Sequence, residues 1–354
     1  MDRRRLEAAF RKDGFEAIIS AAPQTRLWYA KVQTSDGWLV IEPERATLFV
    51  DGRYFEYAKR QAQNVEVQLL KAGALDAFLR ARNFQKIALE RDYLTLEQKE
   101  QLTSMANLNT ATVVLLSGQA LRVVKTAAEG DQLQRAVDIS LAAFDKLNSY
   151  LKEGISEREI DHKLNYLMKR LGADKEGFAN IVAFGANTAL PHHHPTDQKL
   201  APGMMVTIDF GAQYQGYTAD ITRSFIFRPP GSTPVVDPKL EEILAVVEEA
   251  ARRGRAAVKP GIAASAIDQI CRDYIREMGY GNFFVHSTGH GVGLDVHEFP
   301  RVSHQDHTLL EPGMVITVEP GIYIEGLGGA RIEDDILVTS TGHKVLSRKQ
   351  VSND

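Results

Sequence analysis

The sequence predicts a two-domain α/β protein, and two observations support this prediction. Residues 1–120 alternate short helix-like and strand-like segments, which is the pattern of an α/β domain. The rest of the chain contains one arrangement of helices and hairpins twice, which predicts an internally duplicated α+β domain. Small residues at 117–130 separate the two patterns. We therefore predict domains at 1–123 and 124–354.

Composition and charge narrow the class of protein. The 354-residue chain contains 44% hydrophobic and 25% charged residues, as soluble globular proteins do. Its net charge of -4 comes from interspersed acidic and basic residues, so we expect no nucleic-acid partner. No apolar run approaches the ~18 residues of a membrane span. The N-terminus lacks a secretion signal, and Cys271 has no second cysteine to pair with, so we expect a cytoplasmic protein.

The first domain shows no chemical motif in its sequence. It contains no phosphate-binding loop and no cluster of metal-ligand residues, so we predict a packing or oligomerisation role. We expect helices at 6–15, 53–63 and 74–82, and strands at 17–20, 38–42, 46–50, 65–70, 87–90 and 112–116.

Three segments of the second domain recur in the same order about 105 to 110 residues later. Two copies that pack about a pseudo-two-fold axis bring equivalent positions together at its centre. Asp209, Glu319, His192 and His297 are such positions, so we expect them to converge. The matching segments are LKEGISEREID (151–161) with VKPGIAASAID (258–268), HHHP (192–195) with HEFP (297–300), and LAPGMMVTIDFG (200–211) with LEPGMVITVEPG (310–321).

Helix pairs are expected to flank the hairpins of this domain. Asp237 followed by Pro238 is typical of a helix start. Gly172 and Gly279 are expected to end the second helix of each half. The predicted helices are 131–152, 156–171, 238–258 and 263–278.

The segment around Asp209 has the pattern of a strand, a turn and a returning strand. Apolar residues alternate with Thr207 and Asp209, which predicts a half-buried strand with Asp209 opposite its apolar face. Residues 211–216 supply the turn and 217–227 return antiparallel, so Asp209 and Asp220 are expected nearly opposite one another. Two carboxylates that close repel unless a proton or a cation lies between them.

Three further residues complete a candidate metal site. Glu333 follows Glu319 by fourteen residues, a spacing similar to the eleven between Asp209 and Asp220, so we expect a second hairpin pair. His290 lies in the segment HSTGHGVG, whose glycines let the backbone approach a site closely. Four carboxylates and one imidazole are a hard donor set that favours two divalent cations, with Mn²⁺ preferred. Four negative charges also balance two such ions.

Two divalent cations about 3.5–4 Å apart activate water and polarise a carbonyl, which is the chemistry of two-metal hydrolases. Such a reaction also needs groups that stabilise the oxyanion and protonate the leaving amine. His192 and His297, the duplicated histidines of the H-x-x-P segments, fit these tasks.

At this point the sequence resembles the pita-bread metallopeptidase family, which includes methionine aminopeptidase, aminopeptidase P and prolidase. The resemblance covers about residues 127–347. It implies that Asp209 chelates one metal, that His290 and Glu319 chelate the other, and that Asp220 and Glu333 bridge both. The matching motifs are TIDFG, TADITR, STGHGVG, TVEPG and RIEDD, which contain Asp209, Asp220, His290, Glu319 and Glu333 in that order.

The resemblance extends to residues around the ligands and to the first domain. His192 and His297 match the two catalytic-site histidines of the family, and Arg331 resembles the arginine beside the last bridging glutamate, which we assign to substrate binding. SDGWLVI (35–41) and ATLFVDGRYFEYA (46–58) resemble the creatinase-like N-terminal domain of aminopeptidase P and prolidase. The resemblance thus implies a peptidase that cleaves the bond between an N-terminal residue and proline.

The subclass stays open at this stage, with aminopeptidase P slightly favoured over prolidase. An open pocket beyond proline favours aminopeptidase P, whereas a positively charged pocket surface that binds the carboxylate of a dipeptide favours prolidase. A non-catalytic peptide-binding protein and a creatinase-like hydrolase are alternatives, but the complete ligand set argues against both. Co²⁺ or Zn²⁺ is the alternative to Mn²⁺, and the family suggests a homodimer.

Several residues near the motifs have two possible interpretations from the sequence. His286 is predicted to line the substrate pocket, with a buried hydrogen-bonded histidine as the alternative. Arg301 is predicted to pair with a substrate carboxylate, and a surface ion pair is equally expected. His193 and His194 either support the site or are solvent-exposed loop residues.

Overall fold

A computed structural model describes residues 3–105, 108 and 111–348 of the protein. The chain divides into two compact units, Met1–Arg122 and Val123–Asp354. The packing or oligomerisation role of the first unit stays a prediction.

The first unit is built on a six-stranded mixed sheet with the strand order β4-β3-β2-β1-β5-β6. The pairs β1–β5, β5–β6 and β3–β4 are parallel, whereas β1–β2 and β2–β3 are antiparallel. Its apolar core includes Ile19, Val40, Phe49, Leu79 and Leu89. The strands are β1 (Ala17–Ser20), β2 (Trp38–Ile41), β3 (Ala46–Val50), β4 (Glu66–Leu69), β5 (Lys86–Glu90) and β6 (Thr112–Leu116).

Three of the six α-helices among the described residues of this unit are absent from the sequence prediction: α2, α5 and α6. A detectable signal existed for α5, because Thr95 and Gln98 form a reciprocal capping box at its start. Pro23 likewise opens α2. The helices are α1 (Arg3–Asp13), α2 (Pro23–Ala30), α3 (Phe55–Gln61), α4 (Ala74–Arg82), α5 (Leu96–Ser104) and α6 (Gly118–Arg122).

The second unit contains the predicted pair of helix–hairpin halves. In the first half, α7 packs on α8 and the sheet has the order β12-β9-β8; in the second, α9 packs on α10 and the sheet has the order β14-β13-β15-β18-β19. The helices are α7 (Ala127–Leu147), α8 (Glu157–Arg170), α9 (Pro238–Ala257) and α10 (Ala264–Glu277). The strands are β7 (Lys175–Glu176), β8 (Ile181–Phe184), β9 (Met205–Phe210), β10 (Ala212–Tyr214), β11 (Tyr217–Thr218), β12 (Ile221–Ile226), β13 (Gly289–Gly291), β14 (Glu298–Val302), β15 (Val315–Val318), β16 (Gly321–Ile324), β17 (Gly328–Arg331), β18 (Asp334–Val338) and β19 (His343–Val345).

Capping residues define where these helices begin and end. The Asp237 side chain accepts a hydrogen bond from Lys239 N at the start of α9, as predicted. Gly172 and Gly279 follow the ends of α8 and α10 with φ of 105° and 87°, conformations that favour glycine. The prediction for α7 was wrong at both ends, because a capping box at Thr126 starts the helix four residues earlier.

The prediction that the Asp209 strand is half-buried was also wrong, since every residue of β9 is buried. The alternation itself is present. On the apolar face, Phe210 stacks on Phe144 of α7 with ring centroids 5.1 Å apart. On the polar face, Thr207 hydrogen-bonds Ser224 at 2.8 Å, and Ser224 exchanges hydrogen bonds with the backbone of Arg331. The polar face is therefore covered by the other half of the duplication.

The register of the first hairpin differs slightly from the expected one. Asp209 lies directly opposite Thr222, and Asp220 lies two residues earlier on the returning segment. The turn is tight because Gln215 and Gly216 both adopt positive φ. Asp209 and Asp220 are therefore diagonal neighbours rather than direct partners.

Among the described residues, no helix is long and apolar enough to span a membrane.

Candidate metal centre

Three predicted ligands form a compact cluster at the centre of the second unit. One donor atom each from Asp220, His290 and Glu333 can be chosen so that all three lie within 4.8 Å of one another. Asp220 precedes β12, His290 lies in β13, and Glu333 lies between β17 and β18. The cluster therefore joins residues from both halves of the duplication.

Glu319 lies beside this cluster and contacts the same histidine. His290 Nε2 is 3.1 Å from Glu319 Oε1 and 3.6 Å from Asp220 Oδ2. We assign the ring proton to Nδ1, which lies 3.0 Å from the Gly291 carbonyl oxygen and donates to it. This tautomer directs the Nε2 lone pair towards the carboxylates, the orientation that a metal-binding histidine needs.

Asp209 is joined to the centre through Arg331. The Arg331 Nη2 donates to Asp209 Oδ2 at 2.6 Å, whereas the buried Asp209 Oδ1 has no hydrogen-bond partner within the part of the chain that the structure describes. Arg331 also donates to Thr222 Oγ1 at 3.0 Å and to Tyr323 Oη at 2.8 Å. These contacts hold the buried guanidinium inside the protein. The predicted contact of Arg331 with substrate stays a prediction.

The crowded carboxylates shift one another's protonation. Burial raises the pKa of Asp220 well above its usual value, and the charges of Glu333, Asp209, Glu319 and Asp335 raise it further. Burial and the charges of Glu319 and Asp209 likewise raise the pKa of Glu333 well above its usual value. Anionic forms of both side chains are therefore disfavoured unless a positive charge lies between them.

Glu319 and His290 form the opposing pair. Burial by itself raises the pKa of Glu319, but the hydrogen bond and the charge of His290 outweigh it and hold this pKa at about 2. Burial lowers the pKa of His290, but the contact with Glu319 outweighs burial and raises it. In this pair the anionic carboxylate is favoured when His290 carries a second proton, on Nε2, and a cation bound at Nε2 takes the place of that proton.

The donor set fits a divalent cation on two grounds. Carboxylates that repel one another are stabilised when a cation takes the place of their protons. A buried carboxylate oxygen without a partner, such as Asp209 Oδ1, is costly, and coordination to a cation removes that cost. Oxygen donors with one imidazole suit Mn²⁺, Co²⁺ or Zn²⁺ rather than a thiolate-seeking ion.

The two H-x-x-P histidines lie at the rim of the centre. The rings of His297 and His290 are 4.3 Å apart between centroids. Burial lowers the pKa of His297; the charges of His290, His192 and Arg301 add to this, whereas Glu319 opposes them. His192 and His297 are both solvent-exposed residues in their own segments. His297 thus lies beside the donor cluster, and His192 is close enough to His297 for its charge to act on the pKa of that ring.

A hydrogen-bonded chain links the centre to a neighbouring cleft. Tyr323 Oη accepts a hydrogen bond from Arg331 and lies 2.9 Å from His286 Nε2. His286 Nδ1 donates to the Ser287 carbonyl oxygen. We therefore assign His286 Nε2 as the acceptor of a hydrogen bond from the Tyr323 hydroxyl. The cleft has a volume of about 780 Å³ and is lined by His286 and Arg301, among others. His286 is thus both a hydrogen-bonded and a cleft-lining residue.

Arg301 lies on β14 directly opposite His290 on β13, so both side chains occupy the same face of the sheet. Its backbone N–H donates to Asp306. Its guanidinium makes no hydrogen bond or ion pair with any described residue, so the surface ion pair considered from the sequence is not formed there. Arg301 therefore presents a positive charge beside the donor cluster.

Residues 131–340 match metallopeptidase family M24, and residues 3–124 match the creatinase/prolidase N-terminal domain. The chain belongs to metallopeptidase family M24. This confirms the resemblance, the fold class and the hydrolase class predicted from the sequence. Membership also implies a divalent-metal cofactor.

Relatives of this M24 metallopeptidase match over nearly their whole length. An Xaa-Pro dipeptidase from Pyrococcus horikoshii is 40% identical, with 96% of this chain and 94% of the relative covered. A putative Xaa-Pro aminopeptidase from Mycoplasma genitalium is 38% identical, with 94% and 92% covered. The solved structure of an Xaa-Pro dipeptidase from Bacillus anthracis has a TM-score of 0.90 and 38% identity, with 98% and 96% covered.

Sequence reasoning missed two residues that organise the metallopeptidase centre. Thr222 bridges the halves, since its Oγ1 accepts from Arg331 Nε and donates to Glu333 Oε2 at 2.6 Å. Tyr323 joins Arg331 to His286. Thr222 had a detectable signal, because it follows Asp220 by two residues in the returning strand predicted at 217–227 and so is expected to share its face. Nothing in the local sequence pointed to Tyr323.

Proposed function

We propose that this M24 metallopeptidase is a divalent-metal-dependent Xaa-Pro dipeptidase, a prolidase. The observation that carries the proposal is the buried cluster of Asp220, His290 and Glu333 beside the partnerless oxygen of Asp209. Relatives named Xaa-Pro dipeptidase, which match over most of the chain, support the substrate class. The sequence slightly favoured aminopeptidase P, but we now favour prolidase. Arg301 supplies a positive charge beside the centre that can bind the carboxylate of a free dipeptide.

The metal site in this proposal consists of Asp209, Asp220, His290, Glu319 and Glu333, which hold two divalent cations, Mn²⁺ in the first place. When bound, the cations supply Lewis acidity that polarises the scissile carbonyl and lowers the pKa of water. Arg331 fixes Asp209 by its 2.6 Å contact, and Thr222 fixes Glu333. These hydrogen bonds orient the carboxylates before a cation arrives, as partners of metal ligands generally do.

His192 and His297 are proposed to act on the substrate from the rim. The reaction develops negative charge on the carbonyl oxygen and requires a proton for the leaving proline nitrogen. Burial and neighbouring positive charges lower the pKa of His297, so its neutral form, which donates one hydrogen bond, predominates near neutral pH. We assign His297 to the developing oxyanion and His192 to the leaving group.

Arg301 and His286 are proposed to select the substrate. A free dipeptide carries a carboxylate one residue beyond the scissile bond, and a guanidinium binds a carboxylate with two parallel hydrogen bonds. Arg301 lies on the same face as His290, which places its charge on the substrate side of the centre. His286 lines the adjoining cleft and is held by Tyr323.

The test is a cleavage assay on metal-stripped protein, with and without added Mn²⁺, on an Xaa-Pro dipeptide, its C-terminal amide and an Xaa-Pro-Yaa tripeptide. We expect Mn²⁺-dependent cleavage of the dipeptide and at least tenfold slower cleavage of the other two. Faster cleavage of the tripeptide would make the protein an aminopeptidase P instead. No cleavage of any substrate, with two Mn²⁺ ions bound, would exclude the Xaa-Pro assignment.

A cytoplasmic homodimer completes the proposal. The resemblance of the first domain to that of aminopeptidase P and prolidase supports the dimer, and sedimentation equilibrium measures it directly. A monomer at micromolar concentration would exclude this part.

A further inference from the structure

The second residue of each H-x-x-P segment is buried, although the histidine before it is exposed. His193 follows His192 and is 7% exposed; Glu298 follows His297 and is 3% exposed. Both of these second residues are ionisable, and each contacts a second ionisable side chain in the interior. The duplication therefore places a buried polar contact one residue after each of the two histidines.

In the first half, the contact is made by Glu157 at the start of α8. Its carboxylate is fully buried and accepts five hydrogen bonds. Oε1 accepts from Phe184 N at 2.8 Å and from Asn187 Nδ2 at 2.9 Å. Oε2 accepts from His193 Nε2 at 2.8 Å, from Thr196 N at 2.8 Å and from Thr196 Oγ1 at 2.6 Å.

These five donors flank the segment that carries His192 on both sides. Phe184 and Asn187 precede it, and His193 and Thr196 follow it. Burial raises the pKa of Glu157, but the hydrogen bonds from Thr196, Asn187 and His193 outweigh burial and lower it, so Glu157 is a carboxylate in the folded protein. A single buried anion thus holds both ends of the His192 loop.

Glu298, in the second half, is contacted by Lys125, which lies just before Thr126, the N-cap residue of α7. Lys125 Nζ lies 3.0 Å from Glu298 Oε2 and 3.3 Å from the Val123 carbonyl oxygen. Glu298 Oε1 accepts from Asp295 N, so the carboxylate also holds the loop that leads to His297. Gly293 leaves room for this pair, since a Cβ there would lie 2.6 Å from Glu298 Oε2.

The loop residues His193 and Glu298 are equivalent in position, but their partners are not, and the acid and the base exchange places between the two contacts. In the first half the loop supplies the basic partner, His193, and the helix supplies the acid; in the second half the strand supplies the acid, Glu298, and Lys125 the base. Neither Glu157 nor Lys125 belongs to the matched H-x-x-P segments. The duplicated histidines therefore acquired separate anchors that perform one task.

We propose that Glu157 and Lys125 are positioning residues for His192 and His297, respectively. Each one holds the backbone next to an exposed histidine through a buried, charged contact and so fixes where the imidazole meets the substrate. Reactions between bound groups lose about 10²-fold in rate for a misplacement of ~1 Å. This inference rests on the proposed peptidase function and adds two residues that lie outside its metal and substrate sites.

The first test is Glu157→Gln in the full-length, Mn²⁺-loaded protein. Glutamine offers one acceptor oxygen in place of two, so whichever way its amide turns, the donors on one side lose their acceptor. We expect kcat on the Xaa-Pro dipeptide to fall at least tenfold while KM changes less than threefold and two Mn²⁺ remain bound. Glu159→Gln, in the same first turn of α8 but exposed, is the matched control and is expected to keep kcat within twofold.

The second test is Lys125→Met, with the exposed Lys152→Met as its control. We expect the same pattern of lowered kcat, unchanged KM and unchanged Mn²⁺ content, with partial recovery in Lys125→Arg. If Lys125→Met does not fold, Lys125→Met/Glu298→Gln replaces it, because no buried charge is then left unpaired. A kcat within twofold of wild type in a folded variant would overturn the assignment of Lys125.

Hydrogen exchange supplies a readout that does not depend on activity. In Glu157→Gln we expect the peptide covering 190–197 to exchange at least tenfold faster, with α10 unchanged. Unchanged exchange and unchanged kcat would overturn the assignment of Glu157, as would a kcat loss fully explained by lost Mn²⁺. If wild-type protein cleaves no Xaa-Pro substrate, the peptidase proposal fails, and faster exchange at 190–197 still establishes the anchor.

Discussion

Thr222 and Glu333 occupy equivalent positions in the two duplicated hairpins, and Thr222 Oγ1 donates a 2.6 Å hydrogen bond to Glu333 Oε2. Thr222 lies opposite Asp209 in its hairpin. In the second hairpin, Val318 lies opposite Asp334 and Gly321 lies opposite Arg331. The same register between these two pairs places Glu319 opposite Glu333. The position that Glu333 occupies in the second half is therefore occupied by Thr222 in the first half. A hydrogen bond joins these two equivalent side chains across the halves.

By the same register, Asp220 and Arg331 occupy equivalent positions in the two hairpins. Arg331 lies opposite Gly321, and Asp220 occupies the corresponding position opposite Gly211. Only Asp209 and Glu319 are thus like residues at like positions. The duplication supplied two backbones of one shape, and the charged side chains on the returning strands differ between them.

Thr222→Val should destabilise the protein and weaken Mn²⁺ binding. The valine removes the acceptor of Arg331 Nε and the donor to Glu333, and each buried group left without a partner costs about 1–3 kcal/mol. Urea unfolding of the metal-stripped protein measures the loss of stability, and calorimetry measures Mn²⁺ affinity. The exposed Thr341→Val is the control and should stay within about 0.5 kcal/mol of wild type. Equal stability of the two variants would contradict the role given to Thr222.

Glu333→Gln should have opposite effects with and without metal. Without metal, burial and neighbouring carboxylates raise the pKa of Glu333, so at neutral pH this side chain must take up a proton when the protein folds; glutamine removes that cost, and the thermal midpoint should rise by a few degrees. With Mn²⁺ present, the stabilisation seen in wild type should be absent and activity should fall by at least 10²-fold. Differential scanning calorimetry and metal analysis measure both effects. The exposed Glu325→Gln is the control, and retention of two Mn²⁺ ions in Glu333→Gln would contradict the ligand assignment.

The metal-stripped protein should lose stability as the pH rises from about 4 to about 8. Burial raises the pKa of Asp335 from 3.8 to about 8. Within this window the unfolded chain has released the proton that the folded protein keeps, so each pH unit costs about 1.4 kcal/mol for one such group. Urea unfolding in EDTA between pH 5 and 8 measures the slope.

Asp335→Asn isolates this contribution to the pH dependence. Its amide oxygen still accepts from Asp220 N, so the contact is kept while the titrating group is lost. The variant should show a flatter stability profile, and a slope identical to that of wild type would assign the pH dependence to other groups.

Arg301→Met should weaken binding of the free dipeptide without weakening binding of its amide. A hydrogen bond to a charged group contributes about 1.5–3 kcal/mol, so KM for the dipeptide should rise roughly tenfold to a hundredfold. Steady-state kinetics on both substrates measures the difference. Arg276→Met is the matched control, because Arg276 lines the same cleft but is paired with Asp273. Equal losses on dipeptide and amide would show that Arg301 does not read the carboxylate.

The sequence by itself determined the two-domain α/β organisation, the duplication and the M24 family. These follow from local patterns: helix starts such as Asp237 with Pro238, helix-ending glycines at 172 and 279, and motif segments around each predicted ligand. Capping also explains the misplaced start of α7, since the signal at Thr126 lay within a stretch of small residues interpreted as a linker. Such features depend on neighbours within a few residues, which a sequence displays directly.

Only the tertiary structure decided which side chains meet across the duplication. Strand alternation placed Asp209 opposite an apolar face, but the burial of its polar face depends on β17, more than 110 residues later. The same holds for Arg331 on Asp209, Thr222 on Glu333 and Lys125 on Glu298. Pairings at such separation depend on strand register and on the packing of the two halves. A shift of one residue in either hairpin would turn these side chains to the other face, and no local pattern records that choice.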